Sequence, residues 1–251
     1  MQNKLSVVMI TKNADRLLAK SLESVKGLAD EIIIIDNNSD DNTVKIAKKF
    51  NVKIYSLATE NLGEQKEYGV TKTKNQWVLI LDSDEIVTNA LAKEIKNVIS
   101  KPTKFYGFKI PYQNHLFGRP IFYGGENYNK LVLFKKQYAT IKHRLVHENF
   151  LVKNHNYGLL KNKILHYSYP NLYYMFAKFT DYAIREARQR KQNAEKSSLK
   201  KIFAYPSHMF YARYIKDKGY KDYWARIFLD LGFAYMEFAT YLFLAILNLK
   251  K

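Results

Sequence analysis

The chain has 251 residues, carries a formal net charge of +18 at pH 7 and contains no cysteine. Its content of apolar residues, 47%, is enough to build one large α/β domain, or one domain with an appendage. The lack of cysteine excludes disulfides and thiolate metal sites, which fits a reducing cytoplasm. The positive charge favours an anionic partner such as nucleic acid, an acidic membrane surface or a phosphorylated substrate, and a solvated lysine-rich surface is the alternative.

The first hundred residues alternate short apolar runs with amphipathic segments. Strands are predicted for 5–11, 31–36, 52–57 and 76–82, helices for 14–28, 44–50 and 89–99, and a loop followed by a helix for 61–74. The first apolar run is short for a signal peptide, so we expect a protein that stays inside the cell. The alternation predicts a mostly parallel sheet with crossover helices.

The pattern changes at about residue 101. Antiparallel strands are predicted for 104–112, 130–134 and 159–169, with a turn over 118–127. From residue 171 the chain is expected to be helical, with one helix over roughly 172–195 and further helices after Pro206. A helical region is therefore expected to follow the sheet.

Polar clusters follow three of the predicted parallel strands, at 11–13, 36–38 and 82–85. The carboxyl ends of parallel strands meet at one edge of a sheet, where α/β proteins bind their ligands. We therefore expect the three clusters to form one site.

The third cluster lies in the run 80-ILDSDEIV-87, which contains a D-x-D pair, Asp82 and Asp84. This spacing places two carboxylates on the same side of an extended chain, where they can share a divalent cation or divide their contacts between a cation and ribose hydroxyls. Hard oxygen ligands suit Mg²⁺ or Mn²⁺, which would neutralise a diphosphate leaving group. The alternative is a solvated turn with a helix-capping aspartate.

Four segments together resemble the family 2 glycosyltransferases: 6-SVVMITKN-13, 30-DEIIIIDNNSDDNT-43, 63-GEQKEYG-69 and 77-WVLILDSDE-85. Within that family the chain resembles the branch typified by lipopolysaccharide core glucosyltransferases, which the later 124-GG-125, 131-LVLF-134, 146-VHE-148 and 166-HYSY-169 also resemble. The resemblance is dense over residues 5–100 and patchy over 101–170.

The resemblance implies a GT-A fold, that is, a Rossmann-like nucleotide-sugar-binding α/β domain with a mostly parallel sheet, plus a helical C-terminal extension. It implies a glycosyltransferase domain over 1–170, with a nucleotide-sugar-binding half at 1–100 and an acceptor-binding half at 101–170. The remaining segment, 171–251, is the helical, basic and aromatic extension.

The resemblance also implies roles for single residues. Asp36 would contact the uracil or ribose of the donor, and Thr11 and Asn13 would line the same pocket. Asp82 would approach the ribose, and Asp84 would hold the metal on the diphosphate. Further donor-binding candidates are Asn37, which stands where many members have a second acid, Ser83, and the pair Gln65 and Lys66, whose alternative is an exposed helix start.

Family 2 enzymes invert the anomeric centre, which requires a general base for the acceptor hydroxyl. The candidates are Glu148 first and Glu126 second, while Glu85 is expected to orient neighbouring groups. For His147 the alternatives are a metal ligand or acceptor contact and a satisfied structural group, and the same alternatives apply to His166.

The most apolar segment of the C-terminal region is 227–249, which is about as long as a membrane span but contains Asp230 and Glu237. We expect an amphipathic helix at the inner face of the cytoplasmic membrane, with tyrosines and Trp224 at headgroup depth. Basic residues that would meet lipid phosphates are Arg185, Arg188, Arg190, Lys191, Lys196, Lys200 and Lys201. The alternative is a helix that packs on the catalytic domain or forms a dimer.

The sequence thus predicts an enzyme that moves a hexose, with glucose expected, from a UDP-sugar to a sugar hydroxyl of an anionic lipid-linked acceptor. The expected acceptor is the inner core of lipopolysaccharide or lipooligosaccharide, and the alternatives are a capsule, teichoic-acid or peptide acceptor. A basic nucleic-acid-binding protein or a scaffold on the same fold is the hypothesis of another class. No nucleic acid is expected as a partner, because the basic residues are scattered and no known binding motif is present.

Overall fold

A computed structural model of the chain describes residues 3–142 and 149–249. The chain divides into two compact units, and each is described by itself. The first comprises Met1–Tyr112 and Asn129–His166, and the second comprises Gln113–Tyr128 and Tyr167–Lys251. The functional halves expected at 1–100 and 101–170 remain predictions, and the compact units follow a different division of the chain.

The first unit begins with four parallel strands. They are β1 (Leu5–Thr11), β2 (Glu31–Asp36), β3 (Lys53–Ser56) and β4 (Trp77–Ile80), in the spatial order β3-β2-β1-β4. Thr11 lies opposite Asp36, and Val8 lies opposite Ile80. The apolar runs of β1, β2 and β4 are almost fully buried, as expected for parallel strands covered on both faces.

Four helices accompany these strands: α1 (Leu18–Lys26), α2 (Thr43–Ala47), α3 (Leu62–Lys72) and α4 (Asn89–Ser100). The side chain of Asn61 caps α3, and that of Thr88 caps α4 by accepting the Leu91 N–H at 3.2 Å. Gly69 lets α3 approach the sheet closely, because a Cβ atom there would lie 2.4 Å from Val8 Cγ1. The predicted parallel half of the sheet, with its helices, is confirmed.

The later strands pair mostly antiparallel. They are β5 (Glu85–Val87), β6 (Gly107–Leu116), β7 (Arg119–Pro120), β8 (Asn129–Lys135), β9 (Ala139–Lys142), β10 (Asn149–Val152), β11 (Tyr157–Leu159) and β12 (Ile164–Tyr169). Strand β8 joins β4 to β6 with antiparallel pairing on both sides, and β12 pairs antiparallel with β5. Because β8 reverses direction beside β4, the sheet as a whole is mixed rather than mostly parallel.

The core of the first unit is built around β1, β2 and β4. Trp77, Leu79 and Ile34 are fully buried in it. The Trp77 ring stacks on Phe108 of β6, with the two ring centroids 5.9 Å apart. The parallel and antiparallel parts of the sheet therefore share one core, which holds the carboxyl ends of the parallel strands in place.

The second unit is built from helices α5 (Leu172–Gln192), α6 (Leu199–Phe210) and α7 (Arg226–Leu249), with a π-helical segment over Tyr211–Lys216. Helices α5 and α6 both pack against α7. Gly232 of α7 makes room for the Phe179 ring of α5, which would lie 2.5 Å from a Cβ atom at that position. Residues from 113–128 join the same core, where Leu116 and Ile121 pack with Met175, Phe179, Ala225 and Leu229.

Among the described residues, helix α7 alone is long and apolar enough to cross a membrane, with a mean hydropathy of 1.4 in its most apolar window. Of that window, 44% is buried inside the protein, and core helices of proteins without a membrane span pass the same test. Asp230 of this helix is fully buried and paired with Arg226 and Arg213. Helix α7 thus contributes the Asp230 carboxylate, as well as apolar side chains such as Leu229, to the interior of the second unit.

Candidate active site

The first two predicted polar clusters meet at the carboxyl edge of the parallel strands. The Thr11 hydroxyl at the end of β1 donates to Asp36 Oδ1 at the end of β2, at 2.8 Å. The backbone N–H of Asn37 donates to the Thr11 carbonyl at 2.8 Å. Both Thr11 and Asp36 are buried, so these hydrogen bonds join the two strand ends firmly.

The turn after β2 is closed by Asp36, which accepts the backbone N–H of Ser39 at 2.9 Å and the Ser39 hydroxyl at 2.6 Å. Asn13 has a left-handed backbone with φ 49°, and its Oδ1 accepts the backbone N–H of Asp40 at 3.1 Å. The Asn37 side chain donates to the Thr59 carbonyl at 2.7 Å. The four predicted donor-binding residues of this edge therefore lie together, and their contacts with a donor remain a prediction.

The third cluster follows β4 at the same edge. The backbone N–H of Leu81 still donates to the Val8 carbonyl of β1, at 3.0 Å, so Asp82 is the first residue beyond the sheet pairing. Ser83 and Asp84 are half-buried, and the chain turns back into β5 through a hydrogen bond from the Glu85 N–H to the Asp82 carbonyl, at 3.0 Å. The three clusters predicted to converge are thus on adjacent parallel strands.

Helix α3 brings a buried lysine to the acid cluster. Lys66 Nζ lies 3.0 Å from Asp82 Oδ1, and the Lys66 side chain is only 5% exposed. Gln65 is also buried, and its amide donates to the Leu57 carbonyl at 3.4 Å. The alternative of an exposed helix start is wrong for both residues, because α3 packs closely on the sheet through Gly69 and turns them inward.

The charges around Asp82 favour its ionised form. Burial would raise the pKa of Asp82, but the ammonium groups of Lys66 and Lys130 outweigh that effect and lower the pKa. The Asp82 side chain remains 29% exposed. A carboxylate that is ionised, charge-balanced and still open to solvent is suited to accept hydrogen bonds from a ligand.

The pKa of Glu85 shifts in the opposite direction. Burial and the neighbouring carboxylate of Asp82 raise its pKa, and only 1% of its side chain is exposed. Its Oε2 accepts the backbone N–H of Asp82 at 3.0 Å and the Tyr112 hydroxyl at 3.3 Å. Glu85 therefore fixes the backbone from which Asp82 projects, in keeping with the orienting role expected for it.

Sequence reasoning missed Lys130 and Tyr112, which complete this cluster within the first unit. Lys130 Nζ lies 3.9 Å from Glu85 Oε1 and 4.7 Å from the centroid of the Tyr112 ring. Tyr112 lies on β6 and Lys130 on β8, and the antiparallel pairing of these strands brings them beside Glu85, which is 27 and 45 residues earlier in the chain. No local pattern in the sequence indicates that pairing.

His166 lies beside the predicted metal ligand. Its Nε2 is 3.5 Å from Asp84 Oδ1, and its ring stands edge-on to that of Tyr112 at 6.0 Å between centroids. The antiparallel pairing of β12 with β5 places His166 opposite Glu85. His166 therefore belongs to the surroundings of the D-x-D pair. It is 82 residues from Asp84 in the sequence, where its only positive signal is the family resemblance of 166-HYSY-169.

The carboxylate oxygens of this cluster suit a divalent cation that is bound together with a phosphate ligand. Within residues 3–142 and 149–249, no three acid, histidine or cysteine side chains are close enough to hold a metal by themselves. Mg²⁺ is usually bound by one or two carboxylates and completed by waters and substrate phosphates. Asp84, half-buried, and Asp82 supply such carboxylates, and the buried Glu85 Oε1 beside them accepts no hydrogen bond. These hard oxygen atoms fit Mg²⁺ or Mn²⁺.

Of the two candidate bases, only Glu126 lies among the described residues. Glu126 lies in the second unit, where it is buried, accepts the Asn114 amide at 2.7 Å and pairs with Arg213. Its role as a base stays a prediction. Glu148 and the neighbouring His147 lie outside the described residues.

The sequence model of Glycosyl transferase family 2 matches residues 6–143, which is more than half of the chain and includes all three polar clusters. The chain therefore belongs to this family, and it is a glycosyltransferase with the α/β fold, GT-A, that the sequence predicted. The enzyme class expected from the D-x-D segment and its neighbours is confirmed.

Several similar proteins are described as glycosyltransferases. The chain is 26% identical over 208 residues to an uncharacterized glycosyltransferase of Rickettsia bellii, which covers 78% of this chain and 70% of that protein. It is 36% identical over 97 residues to an uncharacterized glycosyltransferase of Rickettsia typhi, and this match covers 39% of the chain and 33% of that protein.

Among solved structures, the chain is similar to glucosyl-3-phosphoglycerate synthase from Mycobacterium tuberculosis, which was crystallised with Mn²⁺, UDP and glucosyl-3-phosphoglycerate. The TM-score is 0.40 at 21% sequence identity, and the match covers 44% of each chain. The chain thus spans less than half the length of that solved relative.

Proposed function

We propose that this glycosyltransferase transfers a hexose from a UDP-sugar, with UDP-glucose the expected donor, to a sugar hydroxyl of an anionic lipid-linked acceptor, with inversion at the anomeric carbon. The observation that supports a UDP-sugar donor is the convergence of Thr11, Asp36 and the D-x-D pair at one edge of the parallel sheet. In α/β folds this edge is where ligands bind.

Each of these residues has a chemical part in the proposal. Thr11, Asn13, Asp36 and Asn37 form a wall of hydrogen-bonding groups for the uracil and ribose. Asp82, which Lys66 and Lys130 keep ionised, accepts hydrogen bonds from the ribose hydroxyls. Ser83, Gln65 and Lys66 remain candidates for contacts with the donor, and Lys66 would bring a positive charge close to the phosphates.

Asp84, with Asp82, would hold Mg²⁺ or Mn²⁺. The bound cation would supply charge neutralisation for the diphosphate as it leaves. Asp84 is suited to this part because its carboxylate is partly open to solvent while its Oδ1 is anchored near His166. Removing the Asp84 charge is therefore the most direct way to separate donor binding from folding.

The transfer itself requires one proton acceptor. In the proposed reaction the acceptor oxygen attacks the anomeric carbon, the new C–O bond forms as the bond to the diphosphate breaks, and the hydroxyl proton goes to a carboxylate. Glu148 is the first candidate for that carboxylate and Glu126 the second. Comparing Glu148→Gln with Glu126→Gln in single-turnover assays tests the order, since only the base variant should lose turnover while it retains UDP binding.

The acceptor half of the proposal is supported by the charge of +18 and by the resemblance to the lipopolysaccharide core branch. A basic protein attracts acceptors rich in phosphate and carboxylate groups. Capsule, teichoic-acid and peptide acceptors remain the alternatives, and a panel of such acceptors assayed for sugar transfer distinguishes them.

The first test is calorimetric titration with UDP, UDP-glucose, UDP-galactose and GDP-mannose, each with and without Mn²⁺. We expect Mn²⁺-dependent binding of the uridine nucleotides, and we expect Asp84→Asn to lose it. Asp181→Asn on α5, which removes a half-exposed carboxylate far along the chain, is the matched control and should bind normally. If no nucleotide binds with any metal, the donor assignment is wrong.

A further inference from the structure

Helix α6 and the π-helical segment that follows it carry an exposed apolar row that the second unit does not cover. Its members are Leu199 and Phe203 on α6 and Tyr211 and Ile215 on the π-helical segment, whose exposed fractions are 75%, 63%, 56% and 46%. They are separated by four, eight and four residues; on an α-helix these steps exceed whole turns by about 40°, 80° and 40°, so the row winds around the helix as it runs along it. We call these four residues the α6 stripe.

The α6 stripe lies on one uninterrupted helical segment. Helix α6 runs into the π-helical segment without a break, since Tyr211 keeps a helical backbone at the junction. The stripe therefore extends along about four turns, with the exposed polar Ser207 between its two apolar pairs.

The other face of α6 is fixed to the second unit. Ile202 is buried in a cluster with Ala187, Tyr241 and Leu244, and α6 packs along α7. The Ser198 hydroxyl caps the helix by accepting the Lys201 N–H at 3.3 Å. The inward face of α6 therefore has its own partners, and the stripe lies outside that contact.

Positive charge surrounds the stripe. Residues 196–224 contain seven basic residues and two acidic ones, Asp217 and Asp222. Of the basic residues, Arg213 is paired with Glu126 and Asp230, and Lys201 is paired with Glu195. The Asp222 carboxylate is buried against Arg226 and adds little negative charge to the surface. Exposed lysines adjoin both ends of the row, Lys200 next to Leu199 and Lys216 next to Ile215.

We propose that the α6 stripe is the surface by which this protein lies on an anionic lipid bilayer. Its apolar side chains would enter the boundary between headgroups and acyl chains, and the neighbouring lysines would meet lipid phosphates. An apolar row flanked by cations matches both layers of such a surface. A second copy of this chain fits less well, because a two-fold contact would place the same basic residues of both copies against each other.

This inference moves the membrane contact from α7, where the sequence predicted it, to α6. Helix α7 buries 44% of its most apolar window within the second unit. The biological role of this contact rests on the proposed function, because a bilayer contact would bring the enzyme to a lipid-linked acceptor. Vesicle binding itself requires neither the donor nor the acceptor.

The test is co-sedimentation of the full chain with vesicles of phosphatidylcholine, alone or mixed with phosphatidylglycerol. We expect binding to the mixed vesicles, weakened by salt, and none to the neutral ones. Phe203→Glu should lower the partition coefficient by about tenfold or more, because it replaces an apolar ring at the boundary with a carboxylate. Leu159→Glu on β11 is the matched control, since Leu159 is 61% exposed, and it should bind almost as well as the wild type.

A second pair of variants separates local charge from net charge. Lys200→Glu/Lys216→Glu reverses two lysines beside the stripe, and Lys93→Glu/Lys96→Glu reverses two exposed lysines on α4. Both change the net charge equally, and we expect only the first to lose vesicle binding. Equal losses would show that net charge alone attracts the protein, and would overturn the assignment to the stripe.

Other outcomes would overturn it as well. They are no vesicle binding by the wild type, unchanged binding by Phe203→Glu, or a dimer, seen by light scattering, that Phe203→Glu dissociates. UDP titration of Phe203→Glu keeps the two proposals apart. If the wild type binds vesicles but no nucleotide, the donor proposal fails while the α6 stripe stands.

Discussion

At the scale of single residues, the site depends on how two lysines act on two neighbouring carboxyl groups. Lys66 lies 3.0 Å from Asp82, Lys130 lies 3.9 Å from Glu85, and the buried Glu85 accepts the Asp82 backbone N–H. The same cluster thus contains one acid with a lowered pKa and one with a raised pKa. Of these two acids only Asp82 is exposed, which suits it to the proposed contact with a ligand, while Glu85 supports the Asp82 backbone.

Lys66→Met tests this balance. Removing the ammonium leaves Asp82 without its nearest counter-charge, and a half-buried carboxylate in that condition should cost roughly 1–3 kcal/mol of unfolding free energy. Urea unfolding at neutral pH measures the loss. Lys48→Met, at an exposed position on the surface after α2, is the control and should leave the stability nearly unchanged.

Glu31, at the start of β2, should make the stability of the fold depend on pH. Burial would raise its pKa, but the hydrogen bonds from Lys53, the Lys74 N–H and Ser6 outweigh burial and lower it below the ordinary value of 4.5. A lowered pKa in the folded state contributes stability that is present above pH 4.5 and is lost as the pH falls through the folded value. Glu31→Gln should therefore flatten the acid limb of unfolding free energy against pH.

Urea unfolding between pH 3 and pH 7 measures that limb. Glu23→Gln, which changes an exposed carboxylate on α1, is the control and should keep the wild-type slope. An unchanged slope in Glu31→Gln would mean that the hydrogen bonds of Glu31 do not favour its charged form.

At the scale of elements, the loop before β8 is tied to the start of α7 by one arginine. Arg226 donates to the carbonyls of Tyr123 and Gly124, at 2.8 and 3.1 Å, and pairs with Asp222 and Asp230. Gly124 has φ 65°, and a Cβ atom there would lie only 1.8 Å from Arg226 Nη2. The glycine is needed for its lack of a side chain as well as for its backbone conformation.

Two glycine substitutions separate these effects. Gly124→Ala combines a left-handed backbone with a collision, whereas Gly118→Ala has φ 80° and open space around the added methyl group. Backbone strain alone should cost about 1–2 kcal/mol in each. Gly124→Ala should lose a further roughly 1–3 kcal/mol, because it displaces the buried guanidinium from its acceptors. Equal losses in thermal or urea unfolding would contradict the close contact with Arg226.

At the scale of the whole molecule, the C-terminal region is part of a core and not a detachable anchor. Helix α7 supplies Leu229 and the buried Arg226–Asp230 pair to the second unit. Deleting residues from 220 onward should therefore expose Met175 and Phe179 of α5 and loosen that unit. Limited proteolysis should cut α5 and α6 rapidly in the truncated chain, and a chain that stays resistant would show that the second unit does not need α7.

The sequence was sufficient for the parallel half of the fold because its signals are local. Continuous apolar runs and caps such as Asn61 and Thr88 define each element from its own residues. The family motifs then placed Asp36, Asp82 and Asp84 at one edge. All of this depends on neighbours within a few residues or on parallel strands whose carboxyl ends must meet.

The rest of the site depends on pairing between distant segments. Tyr112 and Lys130 reach Glu85 only because β6 and β8 continue the sheet antiparallel, and His166 reaches Asp84 through the pairing of β12 with β5. Arg213 and Glu126 are 87 residues apart in the sequence. Such contacts are decided by global packing and by register, neither of which a single sequence states locally.

The two tryptophans of the chain are divided between the units: Trp77 is fully buried in the first, and Trp224, just before α7, is 76% exposed in the second. An indole emits at shorter wavelength in an apolar interior than in water, so the native spectrum should be the sum of a blue and a red component. Unfolding of the first unit would shift only the blue component, and docking that carried Trp224 into headgroups would shift only the red one. Without any label, the chain therefore carries a separate optical reporter for each unit.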